Sequence, residues 1–141
     1  MKLANILLVE DNEGDILLTR EAFEESKIKT VINVAKNGQE ALDYLFKKGD
    51  FKDAKKPDLI LLDINIPIFN GHEVLQTVKS DPVLKKIPII ILTTSSNEKD
   101  IAKAYENHTN SYVKKPINMD DFLKAILKIE EFWLQLCTLS N

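Results

Sequence analysis

Short apolar runs alternate with segments of helical period along the whole chain. Ile6-Leu7-Leu8-Val9, Leu59-Ile60-Leu61-Leu62 and Ile89-Ile90-Ile91-Leu92 are each too short for a helix and show no in–out alternation. Continuous runs of this length predict strands covered on both faces. With two less apolar runs, the pattern places strands at residues 5–9, 31–35, 59–62, 89–92 and 112–114. Between them lie helical stretches. The first covers about 14–26 and turns Ile16, Leu18, Ala22 and Phe23 inward. The second follows Asn37-Gly38 and carries Ala41, Leu42, Leu45 and Phe46. The third opens at Gly71, carries Val74, Leu75 and Val78, and stops at Asp81-Pro82. A weaker fourth is marked by Ile101, Ala102 and Tyr105. The last, about 119–137, is capped by Asn118 with Asp121 in its first turn, and repeats apolar residues at Phe122, Ala125, Ile126, Ile129, Trp133 and Leu136.

Strands alternating with helices predict an α/β fold: a flavodoxin-like, doubly wound, five-stranded parallel sheet of order 2-1-3-4-5 with five helices. The last helix is about 25 Å long at 1.5 Å per residue. It outruns a strand of about 17 Å. Phe132 and Trp133 fall near that overhang, where they either fold back over the strand starts or form a homodimer contact.

Composition narrows the function. The 141 residues suit one domain, 1–141, with 44% hydrophobic residues to build its core. A net charge of −3 with mixed signs lacks the basic field of a nucleic-acid binder. No apolar stretch approaches the ~20 residues of a membrane span, and the first strand begins too early to leave room for a signal peptide. The single Cys137 forms no internal disulfide. A soluble cytoplasmic domain is expected, with neither nucleic acid nor membrane as a partner.

The chemistry gathers at the strand ends. Ligands bind such a sheet outside its carboxyl edge, where strand order reverses. There the first strand runs into Glu10-Asp11, the third into Asp63, the fourth into Thr93-Thr94-Ser95 and the fifth into Lys114-Lys115-Pro116. Two carboxylates ~4 Å apart repel by about 4 kcal/mol at an effective dielectric near 20. A divalent cation offsets that repulsion, and hard oxygen ligands suit Mg²⁺. A carboxylate can attack a phosphoryl group to give an acyl phosphate, with a lysine and a hydroxyl holding other phosphoryl oxygens. The inventory fits phosphoryl transfer onto Asp63. Lys114 alternates to the other side of its strand. His72 and His108 lie apart with no zinc-ligand spacing. Asn107-His108-Thr109 matches a glycosylation pattern by coincidence.

From Ile6 to about Leu136 the chain resembles a response-regulator receiver domain of two-component signalling. The resemblance is carried by Glu10-Asp11, by Asp63 followed by Pro67 and Gly71, by Thr93 five positions after Pro88, and by Lys115-Pro116. Within that family it is similar to the small single-domain regulators partnered with bacterial phytochromes. That narrower likeness rests on the long loop before Pro57-Asp58-Leu59, on Leu92-Thr93-Thr94-Ser95 and on the ending Ile129-Glu130-Glu131-Phe132-Trp133-Leu134.

The resemblance implies that Asp63 is the phosphoacceptor. It implies a metal held by Asp11, Asp63 and the Asn65 backbone carbonyl, with Glu10 acting through water. Lys115 would pair with the phosphoryl group, the bond before Pro116 would be cis, and Thr93 would be the switch hydroxyl with Tyr112 as its aromatic follower. The implied donor is a phosphohistidine on a sensor histidine kinase. The implied output face is the fourth helix, fifth strand and fifth helix, which is also the expected dimer surface. Such a module catalyses its own phosphorylation and dephosphorylation and is not an enzyme on an external substrate. No output segment is expected after residue 141.

The chain departs from the family pattern in three ways: Thr94 where Ala or Gly is usual, His108-Thr109-Asn110-Ser111 where Gly-Ala is common, and Ile66 for a frequent Met. Thr94 is expected to narrow the approach to the acyl phosphate and slow its turnover. Two other classes remain open. A flavin carrier needs a phosphate-cradling loop where Glu10-Asp11 stands. A metal-dependent aspartyl phosphatase needs a second acid where Asn65 stands.

Overall fold

The computed structural model describes residues 3–26 and 28–140. Among these residues five strands and five α-helices alternate in chain order. They are β1 (Ala4–Val9), α1 (Glu13–Glu24), β2 (Thr30–Ala35), α2 (Gly38–Leu45), β3 (Leu59–Leu62), α3 (Gly71–Lys79), β4 (Ile89–Thr93), α4 (Glu98–Glu106), β5 (Ser111–Lys114) and α5 (Met119–Glu130). All strand pairs are parallel, in the order β2-β1-β3-β4-β5 expected from the sequence.

The period of two along each strand divides the core. Leu7, Val9, Ile60, Leu62, Ile89 and Ile91 face one layer with Val74, Leu75 and Val78 of α3. Ile6, Leu8, Leu59, Leu61, Ile90 and Leu92 face the other, with Ile16, Ala22 and Phe23 of α1 and Phe122, Ile126 and Ile129 of α5. The four residues of β3 are fully buried, which explains a run with no polar position.

Every α-helix starts on an asparagine. Asn12, Asn37, Asn70, Asn97 and Asn118 each accept a backbone N–H of the first turn through the side chain. Asn70 and Glu73 complete a reciprocal capping box. Such caps stabilise a helix by about 1 kcal/mol each, and they fix where each helix leaves the carboxyl rim of the sheet.

Two glycines press the loop after β3 into place. A Cβ on Gly71 would lie 2.4 Å from the Asp63 carbonyl oxygen and 2.6 Å from the Ile64 Cα. A Cβ on Gly38 would lie 2.0 Å from the Phe69 carbonyl oxygen. Their N–H groups donate to Ile64 and Pro67 respectively. Between these clamps Ile68 sits at φ 72, in the left-handed region. A β-branched residue there costs about 1–2 kcal/mol, and the clamped loop imposes it.

The ends of elements differ from the sequence pattern. α1 closes at Glu24, before the predicted Ser26. α5 keeps α geometry only to Glu130 and then widens into a π-helix over Glu131–Leu136. The buried Glu130 accepts from the Gln135 side chain, and Cys137 N donates five residues back to Phe132 O. The wider turns lean Trp133 onto the α1–α5 core layer, while Phe132 and Leu136 stay exposed.

Replacing Gly71 with Ala is expected to lower unfolding stability by about 3 kcal/mol, because the atoms met are backbone. Urea unfolding checks this; a loss under about 1 kcal/mol would show that the loop moves aside.

Candidate functional site

Strand register brings the acids together. Val9 pairs with Leu62 across β1 and β3, so the next residues, Glu10 and Asp63, leave the sheet side by side. Asp63 N donates to Val9 O at 3.0 Å, and Glu10 N to Ala35 O at 3.0 Å. On the other side, Thr93 ends β4 fully buried, and Lys115 N donates to Thr93 O at 2.7 Å. That bond turns the buried Lys115 side chain into the rim.

The Lys115 ammonium is the hub. It donates to Glu10 Oε1, to Asp15 Oδ2 at 2.8 Å and to Asp63 Oδ2 at 3.0 Å. Asp63 Oδ1 accepts from Asn65 N at 3.1 Å. Glu10 Oε2 accepts from Asp11 N at 3.1 Å and Asn12 N at 3.2 Å. Three oxygens, one each from Glu10, Asp11 and Asp63, lie within 4.8 Å of one another. Glu10 and Asp63 are buried and Asp11 is exposed, so the cluster opens to solvent on one side. An excess of hard carboxylate oxygens with one open face can hold a divalent cation. Asn65, also exposed, lies two residues beyond Asp63.

Burial and charge push the groups apart. Burial pushes Glu10 up to about 7 against the opposing Lys115 contact, and the Asp63 charge adds to the rise. Burial acts the same way on Asp63, but the Lys115 ammonium, the adjacent Thr93 hydroxyl and the Asn65 N–H outweigh it and hold that carboxyl below its usual range. Burial pulls Lys115 down, and its hydrogen bonds to Asp15 and Glu10 with the Asp63 charge more than reverse this. The nucleophile candidate is therefore held ionised, and of these two buried acids Glu10 is the one that takes a proton more readily.

A second network ties down the segment after β4. The half-buried Tyr112 donates through its hydroxyl to Ser95 O at 2.9 Å. Ser95 Oγ donates to Asp100 Oδ2 at 2.6 Å, and His72 Nε2 lies 2.9 Å from Asp100 Oδ1. Ser95 N reaches back to Thr93 Oγ1 at 3.4 Å. Thr94 is exposed beside it.

The structure thus brings Glu10, Asp11, Asp63, Asn65, Thr93 and Lys115 to one rim, with Tyr112 linked through Ser95. It departs from expectation at Pro116. No peptide bond among the described residues is cis, so the Lys115–Pro116 bond is trans. The trans form is favoured by about 0.5–1 kcal/mol for a bond before proline, and Lys115 reaches the acids without the rarer isomer. The sequence reading missed Asp15. Its one signal was Asn12 as a cap, which sets Asp15 in the first turn of α1, beside the end of β1.

A doubly wound parallel sheet with three acids, a lysine and a hydroxyl at its switch point defines a phosphoryl-accepting α/β signalling module. Comparison with known proteins agrees. The response regulator receiver domain family matches residues 6–127. The chain is 42% identical over 134 residues to the response regulator Rcp1 of Synechocystis sp., covering 95% of this chain and 91% of Rcp1. The crystal structure of the phosphorylated cyanobacterial phytochrome response regulator RcpA superposes with a TM-score of 0.97 at 44% identity, covering 99% of this chain and 100% of RcpA. That of the Mn²⁺-bound form of Rcp1 gives a TM-score of 0.95 at 40% identity, covering 98% and 99%. The chain belongs to the response regulator receiver domain family, and it acts as a phosphoacceptor in two-component signalling. No helix among the described residues is long and apolar enough to cross a membrane.

The charge pattern sets a pH dependence. Glu10 binds its proton more tightly folded than unfolded, so its contribution is full below pH 4.5 and is lost as pH rises toward about 7. Asp63 acts oppositely: its contribution is present above pH 3.8 and is lost as pH falls below that. In the cation-free protein, urea unfolding across pH is expected to show a decline of roughly 3 kcal/mol on the upper limb. Glu10→Gln is expected to flatten that limb; equal slopes would contradict the assignment.

Proposed function

We propose that Asp63 accepts a phosphoryl group from a phosphohistidine on a sensor histidine kinase. The observation that carries this is the ionised, buried Asp63 carboxylate held 3.0 Å from the Lys115 ammonium at the switch point of the sheet. A carboxylate oxygen attacks phosphorus, the P–N bond to the donor imidazole breaks, and the imidazole takes a proton from solvent. Lys115 holds one phosphoryl oxygen as a point charge, and the Thr93 hydroxyl donates to another. Water attack on the same phosphorus returns Asp63 to its free state, so the domain catalyses both its loading and its clearing.

The resident cation in this reading is Mg²⁺, which Asp11, Asp63 and the Asn65 carbonyl would hold, with Glu10 acting through water. When bound, it neutralises charge on the acids and the transferring oxygens. The Mn²⁺-bound form of the relative Rcp1 supports a divalent site. The likeness to RcpA supports a phytochrome-type kinase as the donor, and with it a cytoplasmic setting.

Thr93 moving to the phosphoryl group pulls on Ser95 and so on the Tyr112 tether. That carries the signal to α4, β5 and α5. Tyr105, Ile117, Met119, Phe132 and Leu136 leave apolar surface on this side. We place a homodimer contact there, made by the single receiver domain with Phe132 and Trp133 at its edge.

Incubation with acetyl phosphate and Mg²⁺ is expected to add one phosphoryl group by intact mass, and Asp63→Asn none. Uptake by the variant would overturn the assignment. For the dimer, sedimentation of the beryllofluoride-treated protein is expected to show a larger species than Phe132→Ala/Leu136→Ala under the same conditions. Identical monomers would reject it.

A further inference from the structure

An ammonium has three donors and no acceptor. Lys115 spends its three on carboxylates from three elements: Glu10 after β1, Asp63 after β3 and Asp15 in the first turn of α1. The three partners differ in one respect. Glu10 and Asp63 belong to the oxygen cluster able to hold a cation, and Asp15 does not. A cation seated on that cluster would compete with Lys115 for Asp63 directly and for Glu10 through water, and would repel the ammonium. Asp15 is the one partner outside that competition.

Asp15 is built to stay. Its N–H is held by the Asn12 side chain at 2.9 Å, and its carbonyl accepts from Thr19 Oγ1 at 2.7 Å. Its carboxylate stands in the first helical turn, where negative charge is favoured. Its side chain is 25% exposed against 4% for Glu10, so the ammonium is drawn toward the solvent mouth of the site.

We propose that, when a cation occupies the cluster, Asp15 is a positioning residue that holds the Lys115 ammonium off it and keeps the ammonium aimed at the phosphoryl position, a role that rests on the reading of Lys115 given above. Without Asp15 the ammonium falls back onto Glu10 and Asp63 and competes with the cation for them.

The test is a double-mutant cycle on Mg²⁺ binding, read by calorimetry on the full unphosphorylated chain. Asp15→Asn keeps the shape and one acceptor oxygen. It is expected to weaken Mg²⁺ binding about tenfold, as loss of groups that orient a metal site from behind does. In a Lys115→Met background the same change is expected to have less than about a twofold effect, because the competitor is gone. An equal loss in both backgrounds would mean that Asp15 acts through its charge alone and would overturn the proposal, as would no loss in either.

Should Lys115→Met fail to fold, the ¹⁵N ammonium resonance of Lys115 in Mg²⁺-loaded protein decides. It is expected to persist in the parent and to broaden in Asp15→Asn; equal signals would overturn the proposal. Neither readout needs phosphorylation. Failure of Asp63 to take a phosphoryl group would therefore count against the functional reading and leave the hold of Asp15 on Lys115 to be judged by binding.

Discussion

One buried ammonium balances four carboxylates at the carboxyl edge of the sheet, and the rest of the site depends on that balance. Lys115 touches Glu10, Asp15 and Asp63, and Asp11 stands at the open side. Charges this close would not share a poorly hydrated rim without a cation among them. Lys115 supplies one positive charge against several acids and leaves the cluster short of cations. The shortfall is useful. It keeps Asp63 ionised, makes Glu10 the acid that protonates more readily, and makes a site that a divalent cation completes.

The geometry that brings these groups together is mostly backbone. Parallel register aligns the ends of β1 and β3, and the Lys115 N–H on Thr93 O fixes the lysine beside them. Gly71 lets α3 begin directly over the Asp63 carbonyl, and Gly38 lets α2 begin against Phe69. A side chain at either position would push the loop that carries Asn65 away from the acids. The strained Ile68 is the local cost of this close packing.

Much of this was legible in the sequence, for physical reasons that also explain what was not. Strands buried on both faces read as unbroken apolar runs, so β1, β3 and β4 were plain, and the polar residue that ended each run marked the rim. Glu10, Asp63 and Thr93 were found in this way, and Lys115 at the end of the less apolar fifth run. Asp15 was not, because its approach to Lys115 depends on how α1 leaves its Asn12 cap, and residue spacing carries no sign of that. The tether from Tyr112 through Ser95 to Asp100 and His72 was hidden for the same reason, since its central acceptor is a backbone carbonyl. The π-helical end of α5 kept apolar residues at plausible α positions through Leu136, so a widened turn left no mark in the periodicity. The expected cis bond before Pro116 came from resemblance alone, and a trans bond lets the lysine reach its partners here.

Two of the asparagine caps are followed directly by the clamping glycines, as Asn37-Gly38 and Asn70-Gly71. Asn-Gly is the dipeptide most prone to deamidate, because the unhindered glycine nitrogen cyclises onto the side-chain amide carbon. In this fold both nitrogens are already engaged, Gly38 with the Pro67 carbonyl and Gly71 with the Ile64 carbonyl. The cap also holds each asparagine side-chain oxygen on a helix N–H. The hydrogen bonds that shape the acceptor loop therefore also shield the chain from chemical ageing at its two most fragile links, and damage there must wait for the loop to open.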